Sequence, residues 1–214
     1  MDSILRLGKC ITPEIDYNNI LQVLGDLKAP RDHVTRLLKK GLLVRVKKGL
    51  YVLGPDFGRP YSPFVLANLI YGPSYVSGHS ALAHYGLIPE RVEQVTSTCL
   101  TRHKRFETPV GIFTYDPIPL ERYRVSVCRE PIDEQRSCLI ATPEKALVEL
   151  MVKSANPKSR EEIEEWLDAM RIDLDVLLTF RVGELDQLYK VFRSPAIRIL
   201  RSIITEARHH ESSR

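Results

Sequence analysis

The sequence predicts an α+β fold in two domains, and three observations support that prediction. A basic stretch near the amino end changes from helical to alternating hydrophobic spacing at Gly41. A segment rich in Pro and Gly follows at residues 54–60. Beyond it, short β-branched runs are combined with helical patterns, which is typical of a mixed sheet packed with helices. We therefore expect domains at residues 1–56 and 61–214.

The first domain is predicted to contain a helix from about Pro30 to Lys40. Its apolar residues recur at the three-and-four spacing of one buried helical face: Val34, Leu37 and Leu38. Proline suits a first helical position, and Gly41 stands where a helix ends. Shorter amphipathic helices are expected upstream, one at residues 17–24 and one near residues 4–7.

A hairpin is predicted directly after this helix. Val44 and Val46 alternate with Arg45 and Lys47, so the valines are expected to face a core and the two bases to face outward. Gly49 supplies the positive φ of a tight turn before a second strand. Two helices followed by such a hairpin are the pattern of a winged helix-turn-helix.

The charge of this segment indicates a polyanionic partner. From Lys28 to Lys48 the chain has eight bases and one acid, a net charge of +7 over 21 residues. Residues 1–60 sum to +5, whereas residues 61–214 sum to −1. A dense basic patch on a helix and a hairpin favours contact with double-stranded DNA. The alternative is a solvated basic face that binds nothing in particular.

Specific contacts follow from the way such a helix enters the major groove. The predicted DNA-contacting residues are Arg31, Asp32, Thr35, Arg36, Lys39, Lys40, Arg45, Lys47 and Lys48. Arg36 is the candidate for reading a guanine, because its guanidinium can donate to two acceptors at once. Arg45, Lys47 and Lys48 are assigned to flanking phosphates.

The second domain is predicted to combine helices with a small sheet. Ser62 and Thr142 are expected to cap helices that have Pro63 and Pro143 in their first turns, and a short helix is expected within residues 77–86. The sheet is expected over about residues 92–128, and three further helices follow at about 159–170, 183–191 and 195–207. A second basic patch, expected in a turn, consists of Arg102, His103, Lys104 and Arg105. It fits either a contact with the DNA backbone or an acidic partner, or a hydrophilic loop.

The sequence contains no pattern that predicts catalysis, a metal site or a cofactor. The four cysteines, at 10, 99, 128 and 138, include no pair at metal or redox spacing. His79 and His84 are five residues apart and so fall on different helical faces. No nucleophile elbow accompanies Ser77 and Ser80. No apolar run approaches the roughly 18 residues of a membrane span, and the start lacks the order of a secretion signal, so a cytoplasmic protein is expected.

Three blocks resemble the AbiEi antitoxin family of transcriptional regulators. They read LLKKGLLVRVKKGLY at residues 37–51, YVSGHSALAHYGL at 75–87 and ATPEKAL at 141–147. Their order and approximate spacing match the family over about residues 15–155. The resemblance implies a winged helix that represses its own operon at inverted repeats. It further implies a second domain that counteracts a nucleotidyltransferase-like toxin in a phage-defence toxin–antitoxin system.

Two alternatives stay open at the level of the sequence. One is a stand-alone winged-helix regulator whose second domain is a protein-interaction module. The other is an enzyme that acts on nucleic acid, which would need a carboxylate pair, a metal spacing or a phosphate loop that the sequence does not offer.

Overall fold

The computed structural model of the chain describes residues 2–25, 28–90 and 92–212, and it is a mixed α+β structure. The α-helices of the described residues are α1 Asp2–Leu7, α2 Tyr17–Leu24, α3 Pro30–Lys39, α4 Pro63–Ile70, α5 Gly78–His84, α6 Leu120–Tyr123, α7 Pro143–Ser154, α8 Arg160–Ala169, α9 Leu174–Leu177, α10 Val182–Phe192 and α11 Pro195–Ser212, and one turn of 3₁₀ helix covers Pro55–Phe57. The strands are β1 Glu14–Asp16, β2 Leu43–Lys47, β3 Leu50–Leu53, β4 Ser74–Val76, β5 Gln94–Cys99, β6 Lys104–Thr108, β7 Gly111–Pro117, β8 Val127–Pro131 and β9 Ser137–Ala141. None of the described helices is both long and apolar enough to span a membrane.

The N-terminal unit, residues 2–57, has helices α1–α3 packed on a three-stranded antiparallel sheet in the order β1-β3-β2. The predicted helix at residues 30–40 is confirmed, with Pro30 at its first position and Gly41 at φ +69° directly beyond it. The Asp16 carboxylate caps α2 by accepting from the Asn19 amide at 2.8 Å. Sequence patterning missed β1, because its three residues are too short to show an alternation.

The central strand of this small sheet, β3, is buried on both faces, which the sequence pattern did not predict. All four residues of β3 are buried, and they alternate between two cores. Tyr51 and Leu53 belong to the cluster that includes α1–α3, whereas Leu50 and Val52 belong to the large core of the rest of the chain. The sheet is therefore packed between the helices of its own unit and the C-terminal unit.

A β-bulge in β2 changes which side chains share a face. Arg45 pairs with Tyr51, but the next pair is Lys47 with Leu50, so β2 advances two residues against one. In an unbroken strand Arg45 and Lys47 would lie on the same face. The shift instead places Lys47 on the face of Leu50, which is the face that contacts the C-terminal unit.

The C-terminal unit, residues 61–212, is built on a six-stranded mixed sheet in the order β6-β7-β5-β4-β9-β8. Strands β4 and β9 are parallel, as are β5 and β7, and the other neighbours are antiparallel. Ser62 and Thr142 cap α4 and α7 as predicted. The expected helices of the last third are also confirmed, and α11 extends five residues beyond the predicted end at 207.

The two faces of the large sheet carry different helices. Tyr115 of β7 donates its hydroxyl to the Ala67 carbonyl of α4 at 2.7 Å. Thr98 of β5 faces the other way and donates to Glu149 of α7 at 2.9 Å. Because β5 and β7 are in register, with Thr98 opposite Asp116, the side chain of Asp116 lies on the α7 face as well.

Polar contacts hold the two units together at the edge of the small sheet. The carboxylate of Glu14 in β1, only 1% exposed, accepts from Arg136 at 2.9 Å and from the Ser62 amide at 2.6 Å. The guanidinium of Arg59 donates to the carbonyl of Ile11 at 2.6 Å. Ion pairs and apolar packing thus fix the position of the N-terminal unit relative to the large sheet.

Candidate nucleic-acid interface

Helix α3 presents a basic face to solvent because its apolar face is used in packing. Val34 and Leu37 are buried against the small sheet and the neighbouring helices. The residues that remain exposed on or directly after the helix are Arg31, Asp32, Thr35, Arg36, Lys39 and Lys40. The structure therefore brings the six predicted helical contacts together on one accessible surface.

Two details define what this surface can offer to a ligand. The Thr35 hydroxyl donates to the Arg31 carbonyl at 2.9 Å, so its proton is used within the helix and its methyl group is available for an apolar contact. The Arg36 guanidinium lies 3.5 Å from the His33 ring nitrogen, a long contact that leaves most of its five N–H donors facing solvent.

The hairpin beside α3 adds two exposed bases, Arg45 and Lys48. Gly49 has φ +86°, as the turn prediction required. Lys47 is placed differently from the prediction, because the bulge directs it toward the C-terminal unit. Its ammonium donates to the carbonyl of Ile70, and burial lowers the pKa of Lys47. In this position the Lys47 ammonium cannot reach a phosphate without breaking its contact with Ile70.

The remaining cations of this region form a group that is exposed to solvent. Seven bases of this region are exposed: Lys28, Arg31, Arg36, Lys39, Lys40, Arg45 and Lys48. Within the described part of the chain, none of the seven forms an ion pair. Cations that are close together without ion pairs among the described residues repel one another, and a closely spaced row of phosphates would relieve that repulsion.

The second predicted basic patch has a different character. Lys104 and Arg105 lie in edge strand β6 and not in a turn, which corrects the prediction. His103 lies 3.0 Å from the Asp116 carboxylate, and Arg105 pairs with Glu107 at 3.1 Å. The patch belongs to the large sheet, and two of its four residues contact acids of that sheet, so it is separate from the surface formed by α3 and the hairpin.

Sequence reasoning missed a buried polar network beneath α7. Lys145 is fully buried, and its ammonium donates to the carbonyls of Arg122 and Val125 at 2.6 Å each. It also lies 3.6 Å from the Glu149 carboxylate and over the ring of Tyr75. The i,i+4 spacing of Lys145 and Glu149 was a signal in the sequence, but such pairs usually lie on solvated surfaces.

The fold and this surface define a mixed α+β chain with a cationic helix and hairpin at one end. No protein-family model matches the chain, and no curated protein matches it. Among solved structures, it is similar to the crystal structure of the Rv2827c protein from Mycobacterium tuberculosis. The TM-score is 0.51 and the identity 15%, over 94% of this chain and 80% of that one. At this identity the similarity concerns the fold alone.

Proposed function

We propose that the chain is a sequence-specific DNA-binding repressor whose N-terminal unit is a winged helix-turn-helix. The observation that carries the proposal is the set of seven exposed cations on α3 and the β2–β3 hairpin, without ion pairs in the described part of the chain. Helices α2 and α3 would form the helix-turn-helix, and the hairpin would form the wing.

In this proposal α3 lies in the major groove with its first turns at the base edges. Arg31, Asp32, Thr35 and Arg36 face the bases, and Arg36 pairs with O6 and N7 of a guanine. Lys39 and Lys40 at the end of the helix, with Arg45 and Lys48 of the hairpin, neutralise phosphates on either side. Backbone contacts set the register, and the arginine fork supplies base preference.

The experiment is a gel shift on the DNA upstream of the protein's own gene, repeated at several salt concentrations. We expect binding to a discrete upstream site that exceeds binding to a scrambled sequence of equal length. Lys39→Ala should weaken binding, while Lys190→Ala, an exposed lysine on α10, should not. Equal affinity for the scrambled DNA would remove the claim of specificity.

For the C-terminal unit, we propose the role that the resemblance to AbiEi antitoxins implies. The chain would repress its own operon and counteract a nucleotidyltransferase-like toxin encoded beside it. This part rests on the motifs at residues 37–51, 75–87 and 141–147. If the adjacent gene encodes no such protein, the stand-alone regulator becomes the better description.

The antitoxin role is best tested with the full chain. Residues Val46, Leu50 and Val52 belong to the large core, so a fragment starting at residue 61 would expose that core. A full-length Arg36→Ala/Lys39→Ala variant removes DNA contacts and keeps the core intact. Rescue of toxin-expressing cells by this variant would support an antitoxin function separate from repression, and loss of rescue would argue against it.

A further inference from the structure

A cavity of about 400 Å³ opens on the α7 face of the large sheet, and all its lining residues belong to the C-terminal unit. Ser77 and Thr98 line its wall together with the buried Glu149. Asp116, His103 and Lys153 line the same cavity, and Lys153 and Asp116 meet there as an ion pair. Its size is within the range of cavities that hold small molecules or single side chains.

The hydrogen bonds among the lining residues determine which donors and acceptors they can present to a ligand. Ser77 donates its hydroxyl to Glu149 Oε2 at 2.6 Å, and Thr98 donates to the same oxygen at 2.9 Å. A hydroxyl has one proton, so both groups can offer only oxygen lone pairs to a ligand. The proton of Thr96 is likewise used, on the Ser77 carbonyl at 2.6 Å. These three hydroxyl groups of the wall, on Ser77, Thr96 and Thr98, therefore present lone pairs and no free proton to a ligand.

The ammonium of Lys153 already occupies the carboxylate of Asp116 at the edge of the cavity. The Lys153 ammonium lies 2.5 Å from Asp116 Oδ2, although the lysine side chain is 63% exposed. His103 contacts the other carboxylate oxygen of Asp116 at 3.0 Å. Burial alone would raise the pKa of Asp116, but the hydrogen bonds from Lys153 and His103 outweigh burial and lower it. An exposed lysine pair of this kind is weak and is easily displaced.

We propose that this cavity binds a primary amine or a guanidinium group, which replaces the Lys153 ammonium on Asp116 and donates to the lone pairs of Ser77 and Thr98. The same chemistry is found in a free small amine and in the arginine side chain of another protein. The site is separate from the proposed DNA interface, and its test does not involve DNA.

The test is calorimetric titration of the full chain with two probes, agmatine and Nα-acetylarginine N-methylamide. Binding of agmatine alone assigns the site to small free amines, and binding of both shows that an arginine side chain within a polypeptide also fits. Asp116→Asn should weaken binding about tenfold or more, since a charged hydrogen bond is lost. Asp186→Asn, which removes an exposed carboxylate on α10, should leave binding unchanged.

The most informative variant is Lys153→Met, which should strengthen binding several-fold because the internal competitor is gone. Lys158→Met removes the same charge at an exposed position outside the cavity and should have no such effect. Circular dichroism melts confirm that each variant is folded. The proposal is overturned if neither probe binds at millimolar concentration, if Asp116→Asn binds as well as the native chain, or if inorganic phosphate binds and the probes do not. An equal increase in affinity for the probes in Lys153→Met and Lys158→Met would overturn the proposal as well.

Discussion

Two lysines of this chain lie in opposite environments: Lys39 at the end of α3 and Lys145 in the first turn of α7. Lys39 is exposed and has no ion pair in the described part of the chain, as is true of six other bases around it. Lys145 is fully buried, and its ammonium contacts three carbonyls and one carboxylate. A buried charge must be satisfied within the fold, whereas exposed unpaired charges remain available to an external partner. The comparison separates structural cations from candidate binding cations.

The largest expected effect tests the structural side of this comparison. Lys145→Met removes the cation from a buried pair and leaves Glu149 and three carbonyls without it, so it should cost about 3–5 kcal/mol of unfolding free energy. Urea unfolding followed by circular dichroism measures this. Lys153→Met, two turns further along α7 at an exposed position, should change stability by less than about 0.5 kcal/mol. Equal costs for the two variants would contradict a structural role that is special to Lys145.

The burial of Lys145 should also affect how the free energy of unfolding depends on pH. Burial lowers the pKa of Lys145 to about 8, against the opposing effect of Glu149, from an ordinary value of 10.5. Between pH 8 and 10.5 the unfolded chain binds more protons at this lysine than the folded chain does. The cost of burying the charged ammonium is therefore fully present below pH 8 and is relieved as the pH rises. The stability of the native chain relative to Lys145→Met should therefore increase from pH 8 to 10.5. A pH-independent difference would show that the lysine is not desolvated as described.

The elements with long periodic patterns were predictable from the sequence, and those set by tertiary contacts were not. The stripe of Val34 and Leu37 and the position of Pro30 were sufficient to place α3. By contrast, the bulge at residues 45–47 has no local signature, because the pairing with β3 creates it. Strict alternation therefore assigned Lys47 to the wrong face. The six other cationic candidates of the site lie on the exposed surface expected for them. Helical periodicity, strand alternation before the bulge or the turn at Gly49 determines the direction of each.

Removal of the ion pair between the two units should cause an intermediate loss of stability. Arg136→Met removes the cation that pairs with Glu14, whose second oxygen is buried without a hydrogen-bond partner among the described residues. We expect a loss of about 2 kcal/mol in chemical unfolding, since hydrogen bonds to charged groups are worth roughly 1.5–3 kcal/mol. Arg129→Met, an exposed arginine on the adjacent strand β8, is the control and should cost much less. Adding Glu14→Gln to Arg136→Met should recover part of the loss, and no recovery would argue against the pair.

On the binding side, Arg36→Ala should relax base preference. The proposed pairing with a guanine contributes about 1–3 kcal/mol of discrimination. Fluorescence anisotropy with single-base-pair variants of the upstream site should show one position at which the native chain discriminates and the variant does not. Lys39→Ala should instead weaken all sequences alike. If Arg36→Ala also weakened every sequence equally, Arg36 would be a backbone contact.

The smallest effect compares two adjacent lysines that differ mainly in the direction of their side chains. Lys48→Ala should reduce the slope of log affinity against log salt by about one, because one phosphate contact is lost. Lys47→Ala removes the same charge, but the Lys47 ammonium is bound to the Ile70 carbonyl and cannot reach a phosphate without breaking that contact. Its salt slope should stay close to that of the native chain. Equal slope changes for both variants would mean that the hairpin rearranges on DNA, since only a release of Lys47 from the C-terminal unit would make the two lysines equivalent.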